Sequence, residues 1–119
     1  MKKTNFELAC EKIGVAPVLP PVEGLIPGAA KRMIAGYQLD IIEQATNDGW
    51  LPDFGNRSQE KWTAFMVWSP ASGCFVLYGT GYTSTDSSLG ARFWFPDSPT
   101  ARKFFTENAD LINVLHSIG

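Results

Sequence analysis

Few side chains in this sequence are of the types that do chemistry, and their spacing does not assemble a reaction centre. The nucleophile and ligand candidates are Cys10, Cys74 and a single histidine, His116. A thiol nucleophile needs a base within hydrogen-bond reach, and nothing in the spacing brings either cysteine to His116. His116 closes an apolar helical pattern, where a histidine reads as a helix-end cation or a surface residue. The cysteines form no CxxC and lack the ligand spacing of a zinc site. Two free thiols are expected, with one long-range disulfide as the alternative, and no metal or cofactor is expected. Asp48, Asp53 and Asp86 stand in turn-like contexts, where aspartate serves the backbone. The run Thr80–Ser88 offers hydroxyls and amides to an anion but lacks the lysine and GxxxxGK spacing of a phosphate loop. It reads as a polar strand connector, and the chain as non-enzymatic.

What remains is recognition by aromatic surface. Trp62, Trp68, Tyr78, Arg92 and Trp94 lie in segments with strand character, and these are residue types that protein interfaces favour. Their placement depends on register, because a one-residue slip moves every side chain to the other face. Taking Ser69–Gly73 as a five-residue loop sets Trp68 opposite Cys74 and Val67 opposite Phe75. Phe65, Val67, Phe75, Leu77, Phe93 and Phe95 then share a core face. Trp62, Met66, Trp68, Val76, Tyr78, Arg92 and Trp94 share the other. A four-residue loop would mix the two sets. An aromatic face of this kind is covered by the proline-rich connector or another part of the chain, by a second copy, or by a ligand.

The elements that position these residues are legible in order. Thr4 or Asn5 can cap a helix over Asn5–Ile13, with Glu7 completing a capping box with Thr4 and Gly14 stopping it. Ala16–Gly28 carries Pro17, Pro20, Pro21 and Pro27, which exclude a helix or central strand. It is expected as an extended connector lying over the core. Its prolines lack the flanking arginine of a proline-rich recognition motif. Ala29–Asp48 shows the broad apolar stripe of the main helix, with Ala30, Ile34, Ile41 and Ala45 on it. Its charges run against the macrodipole, so packing must hold it. Asn47–Phe54 is the joint: Gly49 suits a left-handed residue past the helix, Trp50 can fold back on the last turn, and Pro52 forbids resumption. Beyond the polar loop Gly55–Glu60, strands are expected at Trp62–Trp68, Cys74–Tyr78 and Leu89–Phe95. A last helix, capped by Asp97 or Ser98 with Pro99 in its first turn, continues or kinks into Ala109–Ile118.

The fold class expected is therefore α+β: a small antiparallel three-stranded meander with helices packed on one face. The chain of 119 residues suits one domain over 1–119, with residues 1–28 as an N-terminal helix and connector packed on it. Hydrophobic residues are 45 % and charged residues 18 %, the balance of an ordered globule. A net charge of −2 without a basic run disfavours a duplex-binding protein. No apolar run approaches the ~20 residues of a membrane span, and Met1–Asn5 leads into an amphipathic stretch, not a signal sequence. A soluble, cytoplasmic protein is expected, with no membrane partner.

Phe6–Gly14, the connector with Leu25-Ile26-Pro27, Tyr37-Gln38-Leu39, Asp48–Asp53, Lys61-Trp62 and Ala91-Arg92-Phe93 recur in this order in a pattern of known proteins. The chain resembles a family of small uncharacterised proteins of phages and prophage-like regions of gut bacteria. The resemblance implies a short helix, a proline-marked connector, a helix ending in a GWxPD segment, then strands and a final helix. This chain departs from the pattern at Phe95-Pro96-Asp97-Ser98-Pro99, where the family has a more polar, basic approach to the last helix. The resemblance implies a phage-linked context but brings no activity and no site. On this reading the protein is an accessory protein that binds an unknown protein partner, or itself as a homodimer, through the aromatic face. The alternative is a single-stranded nucleic-acid binder that stacks bases on Trp68, Tyr78 and Trp94 with Arg92 beside a phosphate, which the acidic balance disfavours.

Overall fold

A computed structural model of the chain describes residues 2–83 and 92–117. Its elements are α1 (Asn5–Ile13), α2 (Pro27–Asn47), β1 (Lys61–Ser69), β2 (Cys74–Thr83), α3 (Ser98–Glu107) and α4 (Ala109–Leu115). They form two compact units, Met1–Thr46 with Asn108–Gly119, and Asn47–Glu107. The fold class is α+β.

In the first unit, α1 begins with the expected capping box. Thr4 Oγ1 accepts from the Glu7 N–H at 3.1 Å, and Glu7 Oε1 accepts from the Thr4 N–H at 2.9 Å. Two helix-start donors are satisfied reciprocally. The Thr4 N–H and hydroxyl hold the Glu7 carboxyl below the ordinary carboxylate range. Gly14 takes φ +77 just past the helix, and the Val15 N–H closes back on the Cys10 carbonyl at 3.0 Å, a Schellman ending. Phe6, Ala9 and Cys10 make the buried face of α1, with the Phe6 ring edge-on to Tyr37 of α2 at 6.1 Å. On α2 the buried apolar side chains are Ala35, Leu39, Ile42 and Ala45, spaced by three and four as a core-facing stripe requires. The helix opens at Pro27, where a missing N–H costs nothing. Val15, Val18, Leu19, Leu25 and Ile26 are exposed, and of the connector's prolines and apolar residues only Pro20 and Val22 are half-buried. The connector turns back on itself, the Val18 N–H donating to the Ala16 carbonyl and the Leu25 N–H to the Val22 carbonyl, so most of its side chains stay in water. Asn108 separates α3 from α4; its buried side chain accepts from Asn5 Nδ2 at 3.2 Å. Ile118, expected at the end of the last helix, lies outside the described residues.

The second unit begins where α2 stops. Asp48 has φ 49 and Gly49 φ 92, so the left-handed turn starts one residue before the glycine. The Trp50 N–H then donates to the Asn47 carbonyl at 3.0 Å. Leu51–Glu60 is tied together by its own side chains. Gln59 Nε2 donates to the Leu51 carbonyl and Gln59 Oε1 accepts from the Asp53 N–H. Asp53 and Asn56 each accept from the backbone two residues on, as Asx turns do. Lys61 completes the loop: it is 0 % exposed, and its Nζ donates to the carbonyls of Asn56 and Gln59 at 3.0 Å each. Its Nζ also lies 5.5 Å from the centre of the Phe54 ring, a cation–π contact.

β1 and β2 form an antiparallel two-stranded sheet, not the three-stranded meander expected. Among the described residues, the expected third strand contributes a single bridge, Trp62 to Phe95, with both N–H···O bonds at 2.8 Å. The reason is burial. Phe93, Trp94 and Phe95 are all buried, and the Phe93 and Phe95 rings pack on Phe104 of α3 at 5.3 and 4.7 Å. Helix packing holds this segment where a ladder was expected to. Residues 89–91 of the expected strand lie outside the described residues. β2 runs five residues beyond the expected Tyr78, taking up Gly79–Thr83. Asp97 caps α3, accepting from the Thr100 N–H at 2.8 Å, and the Thr80 and Ser98 hydroxyls bond at 2.7 Å.

Candidate interaction surface on the hairpin

The hairpin register differs from the expected one by one residue. Ser69 pairs with Cys74, Trp68 with Phe75, Val67 with Val76 and Met66 with Leu77. The loop is therefore the four residues 70–73, closed by the Gly73 N–H on the Ser69 carbonyl at 2.8 Å, with Gly73 at φ 67. A shift between Phe65 and Met66 leaves Tyr78 as an extra residue, and Phe65 pairs with Gly79, the geometry of a bulge. The Phe-only core face does not form. Trp62, Met66 and Trp68 share a face with Phe75, Leu77 and Tyr82, while Phe65 and Val67 alternate onto the other with Val76.

The five candidate residues do not come together. Trp68 is 56 % exposed and stands edge-on to Phe75 at 5.3 Å. Tyr78, at the bulge, is 76 % exposed. Trp62 is half-buried: its ring tilts onto Tyr82 at 4.8 Å and its indole N–H donates to Glu60 at 3.2 Å. Trp94 lies off the sheet and is 8 % exposed. Its ring meets Phe54 edge-on at 5.7 Å, and its carbonyl accepts from the buried Asn47 Nδ2 at 2.8 Å. Arg92 is outside both strands, exposed, with its guanidinium 5.3 Å from the Phe93 ring centre. Trp62 and Trp68 are the two candidates that share a sheet face.

Three exposed members were not among the candidates: Phe65 at 55 %, Val67 and Tyr82. The five-residue loop places Phe65 in the core. Its ring instead covers Gly81, where an added Cβ would come within 2.8 Å of Phe65 Cε2. A glycine across the ladder from an aromatic was the available signal. One compositional feature ties the surface together. From Trp62 to Thr83 the hairpin contains no charged residue, so its exposed part is apolar, hydroxyl and backbone.

Cys10 is buried in the first unit, and Cys74 is half-buried at the start of β2; both thiols are free. His116 is exposed past the end of α4. Among the described residues no three His, Cys, Asp or Glu side chains gather as metal ligands would. Of the hydroxyl run, Thr80–Thr83 belong to β2, and Ser84–Ser88 lie outside the described residues. No described helix is long and apolar enough to cross a membrane. Comparison with protein-family models, curated proteins and solved structures returned no match to this chain.

Proposed function

We propose that this protein is a non-enzymatic accessory protein that acts by protein–protein contact through its β1–β2 hairpin. The observation that carries the reading is a hairpin without charge from Trp62 to Thr83 that leaves Phe65, Val67, Trp68, Tyr78 and Tyr82 exposed. Exposed apolar patches rimmed by polar groups mark partner sites, and tryptophan and tyrosine are the residues that most often dominate such contacts. The phage-linked context is part of the proposal and rests on the resemblance of the helix, connector and GWxPD segments. The test is Trp68→Ala with Tyr78→Ala, scored by self-association and by capture of partners from host extract. Loss of two anchors should weaken binding by about 30-fold or more, with circular dichroism unchanged. Undiminished association would refute it.

Stacking on single-stranded nucleic acid is the second reading, supported by the exposure of Trp68 and Tyr78. From Trp62 to Thr83 the hairpin has no charge, and Lys61 is buried, so its surface offers nothing to neutralise phosphates and the protein partner is favoured. Quenching of tryptophan fluorescence by an oligonucleotide at low salt, abolished by Trp68→Ala, would reverse that order.

A further inference from the structure

The Trp62–Phe95 bridge fixes which way every backbone group of the hairpin points. Trp62 gives both its N–H and its C=O to Phe95, so Trp62 and Tyr82 are a non-hydrogen-bonded pair of the β1–β2 ladder. Alternation then turns Val67, Val76, Phe65, Gly79, Thr63 and Gly81 toward the partner strand. It turns the N–H and C=O of Leu77, Thr80 and Tyr82 outward along the far edge of β2. Among the described residues no strand lies beside that edge, and no backbone hydrogen bond reaches those three residues from outside the ladder.

We infer that the outer edge of β2 pairs antiparallel with β2 of a second copy, joining two hairpins into one four-stranded sheet across a two-fold axis. This rests on the reading that the hairpin is the interaction surface, and it names the partner and the bonds. Long edges are ordinarily guarded by lysine or proline. β2 contains neither, nor any charge, over Cys74–Thr83. A strand laid against its own copy sets like charges close together wherever it carries them, and this strand carries none. The bulge at Tyr78 is its one guarding feature; it bends the edge without removing outward groups on either side. A two-fold pairing of identical edges closes on itself as a dimer, where a head-to-tail contact would continue as a filament.

The experiment is light scattering after gel filtration over a concentration series, with hydrogen exchange measured at both ends of the series. The mass should rise from 13.1 kDa toward twice that value. In the dilute sample the amides of Leu77, Thr80 and Tyr82 should exchange freely while those of Val76 and Gly81 are protected. In the concentrated sample all five should be protected, the outward three slowing by about tenfold or more. Leu77→Pro, which deletes one outward N–H, should return the dimer to a monomer. A mass of 13.1 kDa at every concentration overturns the inference, and partner capture then decides the broader reading alone. A dimer whose outward amides still exchange freely also overturns it, while leaving contact through the aromatic side chains standing.

Discussion

Replacing Lys61 by methionine probes what holds the unit Asn47–Glu107 together. The side chain is fully buried, and its ammonium donates to two loop carbonyls, those of Asn56 and Gln59, at 3.0 Å each. Hydrogen bonds to a charged group contribute about 1.5–3 kcal/mol each, so their gross value is about 3–6 kcal/mol. Against this stands the cost of taking the ammonium out of water, several kcal/mol even after relaxation. Methionine keeps the buried stem and recovers that cost. Asn56 is exposed, so water can reach part of what the lysine leaves behind. The net loss expected is about 1–3 kcal/mol, or about 4–12 °C in midpoint at about 4 °C per kcal/mol for a chain of this length. Urea unfolding followed by tryptophan fluorescence measures it, and hydrogen exchange at Asp53 and Gln59 locates it. The exposed Lys103, on α3, is the control: Lys103→Met should stay within about 0.5 kcal/mol of wild type. If Lys61→Met also falls within that margin and the loop amides are unchanged, the two carbonyl bonds do not hold the loop.

Gly81→Ala should push the Phe65 ring away, because the added Cβ would sit 2.8 Å from Cε2; denaturation should show a loss of about 1 kcal/mol, the low end for overpacking at an exposed ring. In a Phe65→Ala background the same change should be neutral, and equal costs in both backgrounds would disprove the contact. The Thr100 hydroxyl and N–H hold the Asp97 carboxyl below the ordinary carboxylate range. Its contribution is therefore present at neutral pH, above the unfolded value, and is lost as pH falls through the lowered folded value. Asp97→Asn keeps a capping oxygen but cannot titrate, so the acid-side decline of stability should be shallower; an unchanged profile would remove Asp97 from it.

The parts of this fold that are local were legible in the sequence. Thr4 and Glu7 cap α1, Gly14 ends it, Asp97 starts α3, and a turn within the expected Ser69–Gly73 loop joins the two strands. Each acts within a few residues through dihedral preference or a short side-chain bond, so composition and spacing suffice. The uncharged run from Trp62 to Thr83 is equally plain from the sequence. Register was not, because one residue of loop separates two pairings with similar local merit, and cross-strand contacts such as Phe65 over Gly81 decide between them. Nor could the sequence say that Trp94 would be buried off the sheet with Phe54 while Trp68 stays exposed. Both are tryptophans in apolar runs, and only their tertiary partners distinguish them. Lys61 makes the same point from the polar side. A lysine at the start of a strand is expected in water, and only the folded loop from Phe54 to Gln59 supplies the carbonyls and ring that let it lie fully buried. Helix ends are set by bonds a turn long; faces, registers and buried charges are set by groups distant in the chain that meet only on folding.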